Sequence, residues 1–148
     1  MKLIKATHSD ISELVELLSS LFEQEAEFEP NSEIQSKALS KIILDPKIGI
    51  ILIAKEDDKI LAMVNLLFTE STALGSKVAL LEDMFVLSSS RGRGIGSQLI
   101  DYAISEAKKV GCKRITLLTD IENTKAQSFY QKKGFVKSKM TPYRLLLD

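Results

Sequence analysis

Three glycines within five residues, at 92, 94 and 96, stand between an apolar run ending at Leu87 and a segment with Leu99, Ile100, Ala103, Ile104 and Ala107 at helical spacing. No other feature constrains the chain as much. A strand, a glycine-rich loop and an amphipathic helix in that order leave backbone N–H groups uncovered at a helix N-terminus, where the helix dipole favours an anion. A flexible surface turn would show the same glycines. The placement of Arg91-Gly92-Arg93-Gly94-Ile95-Gly96-Ser97 between a hydrophobic strand and an amphipathic helix favours a phosphate cradle instead.

The rest of the chain supplies the elements around that loop. Lys2 to Thr7 reads as a strand, and Asp10 with Glu13 as the cap and reciprocal partner of a helix. Ile11, Leu14, Val15, Leu18, Leu21 and Phe22 mark that helix's buried face. Asn31 or Ser32 caps a second helix with Ile34, Ala38, Leu39, Ile42 and Ile43 inward, and Asp45-Pro46 ends it. Ile48 to Lys55 and Ile60 to Thr69 read as buried strands of a hairpin, followed by a turn from Ser71 to Lys77 and a strand from Val78 to Leu87. After the loop and its helix, Gly111 is the expected C-cap, Arg114 to Thr119 a strand, and Thr124 to Lys133 a short helix ended by Gly134. A last strand pair is expected around Val136 and from Tyr143 to Leu147. The predicted order βααβββαβαββ describes one domain, residues 1–148, of the α+β (mixed α/β) class with helices on both faces of a central sheet.

Charge and composition exclude several functions. Lys plus Arg and Asp plus Glu are 20 each, so affinity built on counterion release from nucleic acid is not expected. The apolar runs fall well short of the roughly 18 residues a membrane span needs. The opening residues carry no secretory pattern, and the single cysteine, Cys112, closes no intrachain disulfide and offers no zinc set. A cytoplasmic protein with neither a metal nor a membrane partner is the expectation.

Two familiar phosphate loops do not fit. A Walker A loop needs Gly-Lys-Ser/Thr, which does not occur here. A dinucleotide fingerprint counted from Gly92 needs glycine at 97, where Ser97 stands. Asp120 lies about where a ribose-binding acid would, but only 28 residues follow it, too few for the rest of such a sheet. The loop resembles instead the pyrophosphate loop of the GNAT N-acetyltransferase superfamily, Arg/Gln-x-x-Gly-x-Gly/Ala, matched by Arg91, Gly94 and Gly96. A second block, Asn123 through Ala126, Phe129, Tyr130 and Gly134 to Phe135, is similar to that family's Asn-x-x-Ala-x-x-Phe/Leu-Tyr-x-x-x-Gly-Phe segment.

The resemblance implies a mixed, mostly antiparallel sheet and acetyl-coenzyme A in a gap between the strand ending at Val86 and the strand starting at Arg114. It implies that the backbone of Met84, Phe85 and Val86 pairs with the pantetheine arm. Arg91, Gly92, Arg93, Gly94, Ile95, Gly96 and Ser97 would hold the pyrophosphate, with Asn123 beside the cofactor and Tyr130 near its sulfur. The implied reaction is direct transfer of acetyl to a primary amine of a small molecule in a ternary complex, by a homodimer. Two rivals stay open: a protein or peptide N-acetyltransferase, and a coenzyme-binding sensor without turnover.

Acyl transfer needs a base for the amine and a donor for the thiolate. Tyr130, protonated at neutral pH, suits the donor role, although its spacing with Ala126 and Phe129 also fits a core aromatic. Glu82 and Asp83 are adjacent, and strand alternation sends them to opposite faces, with Glu82 assigned to the cleft. Leu81 to Val86 with the loop after it resembles the diamine acetyltransferase branch. The acidic stretch Glu23, Glu25, Glu27, Glu29 and Glu33, with Glu27 and Glu29 as substrate contacts, suits a cationic acceptor, or else is a solvated helix end. His8 reads as a surface residue and Cys112 as a small buried side chain.

Overall fold

The computed structural model describes residues 1–25 and 29–148, in two compact units, Met1–Leu118 and Thr119–Asp148. In the first unit the chain runs through β1 (Lys2–Lys5), α1 (Ile11–Gln24), α2 (Ser32–Leu44), β2 (Gly49–Glu56), β3 (Lys59–Ser71), β4 (Ser76–Val86), α3 (Ile95–Lys109) and β5 (Ile115–Leu117). The strands form one sheet in sequence order, antiparallel from β1 to β4 and parallel between β4 and β5. This is the α+β architecture expected from the pattern.

The predicted hairpin exists because its turn needs left-handed backbone twice, and aspartate tolerates that region better than most residues. Asp57 and Asp58 take φ of 51° and 61°, the geometry of a two-residue turn whose twist matches that of the strands. Burial then covers both faces of the sheet. Leu14, Leu17, Leu18 and Leu21 of α1 and Leu39 of α2 pack with Ile51, Ile53, Met63 and Phe85. Ile50, Leu52 and Ala54 alternate with Ile51 and Ile53 and are equally buried, so they fill the opposite side. Leu99, Ile100 and Ala103 of α3, which packs on β2, β3 and β4, are completely buried.

Two local readings change. The reciprocal cap lies one turn earlier than predicted. The Thr7 N–H donates to Asp10 Oδ2 at 2.8 Å, Asp10 also pairs with Lys55 at 2.8 Å, and Glu13 accepts from the Ile60 N–H. In α2, capped by Asn31 as expected, Ile34 and Ala38 are exposed and Gln35 is buried, its amide within hydrogen-bonding reach of the Asn31 backbone.

The second unit holds one helix, α4 (Thr124–Lys132), ended at Gly134 as predicted. The strands expected around Val136 and Tyr143–Leu147 do not form within this unit, which contains no other strand to pair with them.

Candidate functional site

β4 outruns its neighbour. It pairs with β5 only through Ala79, Leu80 and Leu81, yet continues to Val86. Glu82 to Val86 therefore have no β5 partner among the described residues, and an extended ligand can add along that edge as a strand would. Met84, Phe85 and Val86, which the resemblance sets against the pantetheine arm, lie on this stretch. The Val86 carbonyl already accepts from Arg91 Nε at 3.1 Å, and the Arg91 guanidinium sits 5.5 Å from the centre of the Phe85 ring.

The same stretch carries a bulge. The two-residue step from Met63 to Asn65 on β3 is matched by a three-residue step from Phe85 to Glu82 on β4. Asp83 absorbs the extra residue with φ of 55°, a left-handed conformation that costs a non-glycine residue roughly 1–2 kcal/mol. The assignment of Glu82 and Asp83 to opposite faces assumed unbroken alternation, and the bulge removes that basis.

Asp83 is the more perturbed of the two. Its Oδ2 accepts from Asn65 Nδ2 at 2.7 Å. Burial pushes its carboxyl up to about 7, Glu82 and Glu25 add repulsion in the same direction, and the Asn65 hydrogen bond opposes them. Glu82 is exposed, and partial burial of its carboxyl raises it. Asn65 is only 3% exposed, and its Oδ1 is buried with no hydrogen-bond partner among the described residues. Sequence reasoning set Asp83 on the face opposite Glu82, away from the cleft, and gave Asn65 no role. The signal for Asn65 was an amide inside the apolar run Ile60–Phe68, whereas nothing in the sequence marks the bulge that turns Asp83.

Beyond β4 the chain makes a short 3-10 turn, Ser88–Ser90, and enters the glycine loop. Gly92 and Gly94 have φ of 81° and 76°, so side chains there would be strained even though a Cβ would meet no atom within 4 Å. Gly94 caps α3, and the first hydrogen bond inside the helix runs from the Gln98 N–H to the Gly94 carbonyl at 3.1 Å. The N–H groups of Ile95, Gly96 and Ser97 thus precede the helical ladder and lack acceptors within it. No acidic residue stands in that first turn, and the buried Ile95 side chain fixes the loop to the core. Arg93, expected at the pyrophosphate, directs its guanidinium to Glu56 at 2.9 and 3.2 Å, and holds the Glu56 carboxyl below its ordinary range. These donors fit a pyrophosphate: uncovered N–H groups, a helix dipole and no opposing carboxylate in the turn.

In the second unit, Asn123 Oδ1 accepts from the Ala126 N–H at 3.0 Å, so this side chain caps α4. Tyr130 stands edge-on to Phe129 and Phe135, with ring centres 5.2 and 5.7 Å away. Burial pushes its phenol up to about 12. Of the acidic stretch, Glu23, Glu29 and Glu33 are exposed, Glu25 is half-buried, and Glu27 lies outside the described residues. His8 is exposed, and burial raises the half-buried Cys112 thiol. Among the described residues no group of side chains is arranged to hold a metal, and no helix is long and apolar enough to cross a membrane.

Comparison with known proteins agrees with this geometry. The chain is 32% identical over 120 residues to the uncharacterized N-acetyltransferase YhfO of Bacillus subtilis, covering 80% of each protein. It is 26% identical over 133 residues to the aminoalkylphosphonate N-acetyltransferase of Salmonella typhimurium, covering 90% of this chain and 83% of that one. The crystal structure of a predicted acetyltransferase with acetyl-CoA from Clostridium acetobutylicum shares the fold with a TM-score of 0.81 at 22% identity, over 97% of this chain and 95% of its own. Residues 11–135 match the acetyltransferase (GNAT) family, and the chain belongs to that family of acetyl-CoA-dependent N-acetyltransferases.

Proposed function

We propose that this chain transfers acetyl from acetyl-CoA to a primary amine of a small molecule by direct attack, with Asp83 as the base. The observation that carries the reading is the open edge of β4, which holds a raised carboxylate at Asp83 and leads within a few residues into the anion cradle. Backbone groups of Met84 and Phe85 would align the pantetheine arm, and the N–H groups of Ile95, Gly96 and Ser97 would take the pyrophosphate. Bound there, the cosubstrate supplies an activated acetyl group. Arg91 and Arg93 serve by shaping the loop through Val86 and Glu56.

An amine in water is mostly ammonium and has no lone pair to attack with. A carboxylate near 7 accepts a proton far more readily than one at the ordinary value of about 4, and is still ionised in much of the population at neutral pH. Asp83 therefore replaces Glu82 as the base in this reading, and Glu82 remains an acid at the cleft edge that attracts the cation. Tyr130 takes the donor role from its motif alone. With its phenol near 12, complete transfer to a thiolate of pKa about 8.5 is uphill, so a hydrogen bond to the sulfur as charge develops suits it better.

The relative named for aminoalkylphosphonates supports a small acceptor. Glu82 and the acidic residues around Glu25 favour a cationic one, such as a diamine or polyamine. The free thiol of Cys112 fits a cytoplasmic setting, and a homodimer is proposed on family grounds. Coenzyme A release across polyamines, amino acids, aminoalkylphosphonates, aminoglycosides and peptides tests the reading. Turnover confined to small cationic amines supports it, and turnover of peptides alone overturns it.

A further inference from the structure

The Asn65–Asp83 contact is half of a familiar pair. A primary amide and a carboxylic acid can lie edge to edge and exchange two hydrogen bonds, amide N–H to acid oxygen and acid O–H to amide oxygen. Asn65 and Asp83 already make the first, Nδ2 to Oδ2 at 2.7 Å. The acceptor for the second is in place: Asn65 Oδ1 is buried without a hydrogen-bond partner among the described residues, in a residue only 3% exposed. Leaving such an oxygen bare is costly, and native structures rarely do so without a reason. An ionised Asp83 has no proton to offer it. A protonated Asp83 does.

We propose that Asn65 is a positioning residue for the proton that Asp83 takes from the acceptor, its Oδ1 receiving the new O–H as the second bond of a cyclic amide–acid pair. This rests on the reading of Asp83 as the base. In the step, an N–H bond of the acceptor ammonium breaks, its electron pair stays on nitrogen for the attack, and an O–H bond forms on the Asp83 oxygen not already accepting from Asn65 Nδ2. One amide thus has a matched partner for each state of the acid: Nδ2 for the carboxylate throughout, Oδ1 for the acid once formed. Among the described residues the other ionisable groups acting on Asp83 are Glu82 on its own strand and Glu25 at the end of α1, both carboxylates, and β3 contributes Asn65. Neither Glu82 nor Glu25 can donate to Asn65 Oδ1 while ionised. The bulge lies at this contact: left-handed Asp83 falls in the step where β4 carries one residue more than the β3 strand that holds Asn65.

Carbon-detected NMR of the side-chain carbonyls in the free protein tests this, followed through pH 5 to 9 in wild type and Asp83→Asn. The account predicts that Asn65 Cγ moves downfield as pH falls, with the same midpoint as Asp83 Cγ, because its oxygen gains a hydrogen bond. In Asp83→Asn, where the new amide N–H can fill Oδ1 at every pH, Asn65 Cγ should sit near the protonated wild-type position and no longer titrate. An Asn65 Cγ that stays fixed, or moves upfield, while Asp83 Cγ titrates would overturn the proposal and leave Asn65 a structural donor. Because no coenzyme is present, this outcome is separable from failure of the enzymatic reading. A coupled titration in a protein that releases coenzyme A to no amine would keep the pair and remove its catalytic purpose.

Discussion

Asn65 and Asp83 meet across β3 and β4, Nδ2 to Oδ2 at 2.7 Å, at the one place where β4 carries a residue more than its partner strand. The contact joins a backbone irregularity to a chemical one. A left-handed aspartate and a buried amide with an empty oxygen are each unfavourable alone, and structures tend to keep such strain where function needs it. Their coincidence on the stretch of β4 that β5 leaves open singles out Asp83 among the described acids.

The pH dependence of catalysis follows from that carboxyl. As a base it must be ionised, so kcat/KM should rise with pH through about 7 and then level until another group titrates. Asp83→Asn should lower kcat by about 10² or more and remove the limb near neutrality, with the KM for acetyl-CoA nearly unchanged. Steady-state kinetics from pH 5.5 to 9 checks this. A limb that persists in the variant assigns it to another group.

The same carboxyl makes a statement about stability, with the opposite sign to the usual aspartate. Its folded value is raised, so between about 4 and about 7 the native protein binds more protons than the unfolded chain, and stability falls as pH rises through that window. Asp83→Asn carries no charge, and asparagine tolerates the left-handed φ. Its Tm should exceed the wild-type value at pH 8, with the gap closing toward pH 5. Equal gaps at both pH values would mean that the carboxyl is not raised.

The cradle is tested by thermal shift. Acetyl-CoA should raise the Tm of the wild type, since a ligand of the native state alone stabilises it. Gly94→Glu should abolish that rise by placing a strained, negatively charged side chain at the α3 N-terminus. An undiminished shift in the variant would move the pyrophosphate elsewhere.

Tyr130→Phe separates packing from chemistry. Phenylalanine keeps the edge-on contacts with Phe129 and Phe135, so Tm should change little while kcat falls by about 10². Full activity in the variant would make Tyr130 a packing residue.

Acceptor charge gives a further expectation. Spermidine or a lysine-like diamine should show a higher kcat/KM than glutamate or an amine without a second charge. Added salt should narrow the difference, because Glu82 and Glu29 are exposed. A preference that survives high salt, or none at all, would assign the acidic stretch to the solvated surface.

Much of this was legible in the sequence. The helical spacing of Leu14, Leu18 and Leu21 and the apolar runs on either side of Asp57-Asp58 specify their elements, because burial enforces periodicity. Gly92 and Gly94 marked a loop without side-chain obstruction, and in the fold both take the left-handed backbone that glycine adopts without strain. Asp83 was hidden for the converse reason. Pattern reading assumes a period of two along a strand, whereas a bulge depends on how two strands register, which no single stretch of sequence encodes. Asn65 was visible as an amide among aliphatic residues, but its partner lies 18 positions away. Arg93 was assigned to the ligand with the rest of its motif, and its ion pair with Glu56, 37 positions distant, appears only in the fold.

The central claim is most directly tested by following free thiol while acetyl-CoA is incubated with wild type and Asp83→Asn in the presence of a panel of small primary amines at pH 8. The account predicts amine-dependent release of coenzyme A by the wild type, and a rate about 10² lower in Asp83→Asn at saturating acetyl-CoA. Equal rates in the two proteins, or no release with any amine, would contradict it.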